Sequence, residues 1–167
     1  MKNNFFNIAV SNIYTKPDIK SEVSTQILYG EKFKILSEKK DWVKIKTYFD
    51  NYIGYIKKRK FNKQFKPQLK IFKSKSKIYI RKKNKFFASK HFLYFASGIS
   101  VLNKDKNFIE FEKNKWIKKK DTKEIKHYER NYLKIIKFFL NIKYLWGGKT
   151  SEGINCLFCI NSNLFLL

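Results

Sequence analysis

Apolar and polar residues alternate in short runs through the first sixty positions. In FKIL, Phe33 and Ile35 fall on one face, and in WVKIK, Val43 and Ile45 do the same. A period of two marks half-buried strands. SEKKDW between these runs carries turn formers, and YFDNY supplies another turn at Asp50-Asn51. YIGYIKK closes the set, with Gly54 allowing a bend or a close backbone approach. Short strands at this regular spacing predict a small barrel.

KFNKQFKPQLK, around Phe61 to Lys70, is charged, contains Pro67 and reads as a linker. A weaker strand set follows in KIYIRK, HFLYFASG, ISVLN, NFIEFE and KWIKKKD. FASGISVL mirrors YGEKFKIL, and NKWIKKKD mirrors the end of the first set, so a second, degenerate barrel is expected over residues 68–121. His91, inside the apolar HFLYF, is expected to be a half-buried structural residue.

The period then changes. Asp121-Thr122-Lys123-Glu124 has the spacing of a capping box. Beyond it Ile125, Tyr128, Tyr132, Ile135, Ile136 and Phe139 recur at helical spacing, with Lys126, Arg130, Lys134 and Lys137 largely elsewhere. An amphipathic helix is predicted from about 123 to 140. A basic amphipathic helix suits either a membrane surface or the face of its own domain; the motif directly after it favours the second.

Composition changes the picture in one respect. The 167 residues carry 38 Lys and Arg against 13 Asp and Glu, a formal charge of +25. Such a surplus attracts polyanions, so weak polyanion binding is expected, with nucleic acid as one reading. Lys, Asn, Ile, Phe and Tyr, all with A/T-rich codons, dominate the chain, so genome composition accounts for the same charge. The lysines are spread along the chain with no aromatic-basic recognition motif. Cys156 and Cys159 both lie in the last dozen residues, which excludes a disulfide framework. With no second CxxC, and with His91 and His127 at no ligand spacing, neither metal nor cofactor is expected. The opening MKNNFFNIAVSN is interrupted by polar residues, unlike the apolar core of a signal peptide. No run approaches the roughly 20 apolar residues of a membrane span, and a cytoplasmic location is the default expectation.

Residues 8–58 resemble a bacterial SH3 domain, through IYTKPD, QILYGEKFKIL, DWVKIK and YIGYI in that order. In that family the fold binds or positions rather than catalyses. A helix running into YLWGGKTSEGINC, Tyr144 to Cys156, resembles the NlpC-type papain-like cysteine peptidases, which cut peptidoglycan peptides. The family pattern is Pro-Tyr-x-Trp-Gly-Gly, a short loop, then Gly-x-Asp-Cys-Ser-Gly. Tyr144, Trp146, Gly147, Gly148, Gly153 and Cys156 match it.

The resemblance implies a mainly β N-terminal part, with two small SH3-like barrels at 1–60 and 68–121. These lead into the helical start of an α+β papain-like domain, incomplete over 122–167. It makes Cys156 the nucleophile, opening a helix whose N–H groups favour the thiolate. It sets Tyr144 and Asn155 as substrate-binding residues and Trp146 as a packed wall. Asn155 and Leu157 replace the family's Asp and Ser around the cysteine, and Lys143 its Pro.

Papain-like chemistry also needs a histidine base, which in the family lies well downstream of the cysteine. The sequence ends eleven residues after Cys156. The expectation is therefore a truncated peptidase of peptidoglycan stem peptides, of the D-γ-glutamyl-diamino acid type, inactive as this chain. A change of frame just after Cys156 would produce the divergent LFCINSNLFLL tail, and a poorly ordered end is expected beyond about residue 140. The alternative is a non-catalytic SH3-like binding module for cell-wall peptide or another anionic ligand.

Overall fold

The alternation in the first third folds as one antiparallel sheet. In the computed structural model, which describes residues 4–155, six strands take the order β1-β4-β5-β6-β2-β3. They are β1 (Asn4–Phe5), β2 (Val10–Tyr14), β3 (Val23–Leu28), β4 (Lys32–Lys39), β5 (Trp42–Thr47) and β6 (Ile53–Lys57). The two short hairpins fall where the turn formers stand. Lys40 and Asn51 take left-handed φ values of 46° and 57° at the β4–β5 and β5–β6 connections. Phe33, Val43 and Ile45 point inward and join Phe6, Ile13, Ile27 and Ile56 in one core. Gly54 is the expected close approach: a Cβ there would lie 2.5 Å from Ile13 Cγ2 and 2.6 Å from the Tyr14 carbonyl oxygen.

The sheet does not close into a barrel. Its order ends at β3, and the open side of β3 is met by the Gly147–Thr150 region instead of by another strand of its own module. The expected linker is also anchored. Phe61 is buried in the first core, Phe65 in the second, and Phe5 bridges to Asn62. Aromatic side chains carry this stretch into the interior despite its charge.

The middle of the chain forms two further sheets. A five-stranded sheet runs β11 (Asn103–Lys104), β12 (Phe108–Glu112), β13 (Lys115–Lys118), β8 (Lys75–Lys82), β9 (Lys85–Tyr94). A three-stranded sheet runs β10 (Gly98–Ile99), β7 (Leu69–Ile71), β14 (Thr122–Glu124). Neither sheet closes on itself. Ile71, Ile78, Leu93, Ile99, Phe111 and Ile117 pack with Tyr29 from the first module, so the two modules share a core. The Tyr29 hydroxyl donates to Glu112 Oε1 at 2.8 Å across that boundary. Burial, with Glu112 beside it, pushes the Tyr29 phenol far above its ordinary range.

The helix predicted over 123–140 is mostly absent. Residues 119–121 form a single 3₁₀ turn, and Thr122–Glu124 pairs as β14 with Leu69–Ile71. Asp121 caps nothing. Its carboxylate is buried, accepts the Ser76 hydroxyl at 2.7 Å and faces Lys73 Nζ at 3.8 Å. The open edge of β7 offered this stretch a ladder of backbone hydrogen bonds, and tertiary pairing overrode the local helical pattern.

Among the described residues an α-helix forms only over α1 (Tyr132–Ile136), followed by turns. Ile135 and Phe139 bury against Leu28, Phe72 and Phe95, while Tyr128, Tyr132 and Ile136 stay exposed. The helical start of a papain-like domain is therefore not shown among the described residues. Residues 141–155, expected to be poorly ordered, pack against both modules. No helix among the described residues is long and apolar enough to cross a membrane.

Candidate functional site

The Tyr144–Asn155 segment folds back on itself by backbone hydrogen bonds. Leu145 N–H donates to the Ile154 carbonyl at 3.0 Å, and Ile154 N–H to the Lys143 carbonyl at 3.1 Å. Gly148 N–H reaches the Leu145 carbonyl, and Asn155 N–H the Gly148 carbonyl, both at 2.9 Å. A two-residue ladder, β15 (Lys149–Thr150) with β16 (Gly153–Ile154), closes the tip.

Two of the glycines are required by this path. Gly147 has φ +68°, and a Cβ there would lie 2.9 Å from Thr25 Cα of β3. A Cβ on Gly148 would lie 2.4 Å from the Gly153 carbonyl oxygen. The Gly-Gly pair lets one backbone bend tightly while touching another.

Lys149 fixes the loop to the first module. Its backbone N–H donates to Gln26 Oε1 at 2.9 Å. Its side chain, 3% exposed, runs inward until Nζ lies 2.7 Å from Asp50 Oδ2 and 3.6 Å from Glu31 Oε2. The contact is one of charge, without the alignment of a hydrogen bond. The Phe49 ring lies 5.1 Å from Nζ, and the Thr47 hydroxyl donates to the other oxygen of Asp50.

One ammonium thus faces two buried carboxyls. Burial raises the Glu31 carboxyl from 4.5 to about 7, with Asp50 adding to the rise and Lys149 opposing it. A second link, from Lys75 of β8 to Glu152, ties the loop tip to the middle sheets. The Tyr94 phenol is pushed up by burial, with Glu152 contributing.

The residues singled out in the sequence fare differently. Tyr144 bridges to Ile154 by backbone and is 62% exposed. Asn155 is half-buried and held through its N–H to Gly148. Trp146, expected as a packed wall, is 59% exposed; Lys149 and Ile154 fill the interior side of the loop instead. Cys156 lies outside the described residues, as do Leu157 and Cys159. His91 is exposed on β9 and not half-buried. His127 sits edge-on to Phe72, ring centroids 5.2 Å apart, with Nε2 3.9 Å from Glu129. The Glu129 carboxyl is itself held below its usual range, chiefly by the hydrogen bond from Lys134.

Comparison with known proteins fits this arrangement. Residues 13–61 match the family described as the bacterial dipeptidyl-peptidase Sh3 domain. No curated protein sequence matches the chain. Among solved structures, an NlpC/P60 family protein from Bacillus cereus ATCC 10987 aligns with a TM-score of 0.76 and 17% identity. The alignment covers 94% of this chain and 70% of that one. The two chains share a fold. The likeness extends well past the residues of the Sh3 match.

Sequence reading missed Glu31, Asp50 and Lys149. In the sequence Asp50 reads only as a turn former and Lys149 as one cation among many. Nothing in their neighbourhoods along the chain links three residues that are up to 118 positions apart (149 − 31).

Proposed function

We propose that this chain is built on the plan of a cell-wall peptidase. In this reading a cysteine-type peptidase segment, with Cys156 as nucleophile, is mounted on two SH3-like modules at 1–60 and 68–121. Its substrate class is the peptidoglycan stem peptide cut at a D-γ-glutamyl-diamino acid bond, with Tyr144 and Asn155 on the substrate side. The observation that carries the reading is the loop. The residues that match the peptidase motif form a finished turn, with Gly147 and Gly148 at contacts where only glycine fits. Its last described residue, Asn155, is fixed one position before the thiol. The Sh3 match and the shared fold support the same plan.

A second reading, a non-catalytic binding module for cell-wall peptide, draws on the histidines. A thiol needs an imidazole beside it to attack an amide. The two histidines of the sequence are His91, on an exposed strand, and His127, engaged by Phe72 and Glu129.

Calorimetric titration of a γ-D-glutamyl-diamino acid peptide into the protein and its Tyr144→Ala and Asn155→Ala variants tests the proposal. The expected result is saturable binding that Tyr144→Ala weakens about tenfold, or about 1.4 kcal/mol. Binding equal in all three proteins would move the ligand to the modules and favour the second reading. No binding at all would overturn both.

A further inference from the structure

We infer that the groove between the 105–107 loop and the end of β13 is a binding site for a flexible, base-free phosphate polymer. Its volume is about 870 Å³, and its walls carry Lys106, Lys118, Lys119, Lys120 and Lys123 together with Asn107. Five of its eight lining residues are lysine, and none is acidic. The groove is richer in cations than the chain as a whole, where 38 of 167 residues are Lys or Arg.

The carboxylates nearest in sequence are already engaged. Asp121, directly after Lys120, points into the protein onto the Ser76 hydroxyl. Asp105, directly before Lys106, faces Arg81 at 3.5 Å with one oxygen and accepts the Lys106 N–H at 2.5 Å with the other. Glu124 follows Lys123 on β14 and, by the alternation of a strand, lines the opposite side with Gln68 and Lys126. The groove is also held in shape. Lys119 N–H donates to the Asn107 carbonyl at 2.9 Å, the Thr122 hydroxyl donates to the Lys119 carbonyl at 2.8 Å, and Lys118 Nζ lies 5.3 Å from the Tyr79 ring centroid.

Ammonium groups crowded in this way repel one another and gain when anions come between them. Lysine, as a hydrated point charge on a flexible stem, suits phosphates whose spacing varies. Base stacking has no platform here. Phe108, the aromatic residue of the groove, is already stacked on Phe86 at 4.0 Å and edge-on to Tyr79 at 5.0 Å. A polymer recognised by its phosphates alone is the ligand this chemistry fits, and the inference stands apart from the peptidase reading.

The test is fluorescence titration with linear inorganic polyphosphate over a range of salt concentrations, with single-stranded DNA of matched phosphate count in parallel. The groove variant replaces Lys106, Lys118 and Lys120 by Gln. The control replaces three exposed lysines of the first module, Lys20, Lys39 and Lys46, by Gln. Thermal melting checks that both variants fold.

The groove variant is expected to bind polyphosphate about tenfold more weakly and to reduce the slope of log K against log salt by about 2. The control is expected to change affinity less than about twofold. Equal losses in the two variants would overturn the site in favour of diffuse charge. Tighter binding of DNA than of polyphosphate, with the same dependence on the groove, would overturn the assignment to a base-free polymer.

Discussion

The first module and the segment from 122 to 155 are built on different principles. Strands β2 to β6 find their partners within about fifty residues, and their inward side chains alternate along each strand. The later segment has a five-residue helix, a two-strand tip and otherwise turns closed by local backbone hydrogen bonds. It is held from outside, by Leu28 and Thr25 of β3, by Phe72 and Phe95 of the middle sheets, and by the carboxyls of Asp50 and Glu31. The lesson is that a segment with weak local structure can still be fixed when distant residues supply both its core and its counter-charges.

The sharpest way to break the comparison is Lys149→Met. It leaves two buried carboxyls without their cation, an arrangement that costs about 3–5 kcal/mol. Urea unfolding followed by tryptophan fluorescence reads the loss. Adding Asp50→Asn to the same protein should restore most of it, because the damage comes from the abandoned charge. If Lys149→Met alone is neutral, the ion cluster does not hold the segment.

Next in size is Ile135→Ala, which empties a position 2% exposed in the cluster with Leu28 and Phe139. The expected loss is about 2–4 kcal/mol. The neighbouring Ile136→Ala, at 45% exposure, should stay within about 0.5 kcal/mol. Similar effects at the two sites would restore the longer amphipathic helix that the periodicity suggested.

That helix shows where sequence reading stopped. In β4 and β5 the alternation of Phe33, Val43 and Ile45 was enough, because each strand pairs with its neighbour in sequence and one face is buried. At Thr122–Glu124 the same kind of local evidence pointed to a helix, and a strand fifty residues earlier decided otherwise. The motif loop was legible as a glycine turn, because Gly147 and Gly148 stand where a Cβ collides. Its attachment was not, since a lysine that enters the interior looks the same in sequence as one that does not. Trp146 misled for a related reason: large aromatic residues are usually buried, and here Lys149 takes the inward side.

Glu31→Gln sharpens the electrostatic half of the comparison. Folding raises the Glu31 carboxyl from 4.5 to about 7, so between those values the folded protein holds a proton that the unfolded chain releases. Stability should therefore fall as pH rises from about 4.5 to 7, by on the order of 2 kcal/mol for this group. The Gln variant should lose that slope, matching the parent below the window and exceeding it above. Denaturation curves from pH 4 to 8.5 decide the matter; parallel pH profiles would show that Glu31 does not carry the extra proton.

The most localised effect is expected at Gly147→Ala, where a positive φ costs about 1–3 kcal/mol and the Thr25 backbone must shift besides. Its signature is local. Amide exchange at Leu145 and Ile154 should quicken while Val43 and Ile45 are unchanged, and a uniform change would mean that the loop and the first module open as one unit.

The central claim, that the motif loop is seated on the first module through Lys149, is tested most directly by hydrogen exchange at single-residue resolution in the parent and in Lys149→Met. The account predicts protected amides at Leu145, Gly148, Ile154 and Asn155 in the parent. In the variant those four should lose protection while β4 and β5 keep theirs. Exchange of residues 141–155 at the rate of an unstructured chain in the parent protein would contradict it.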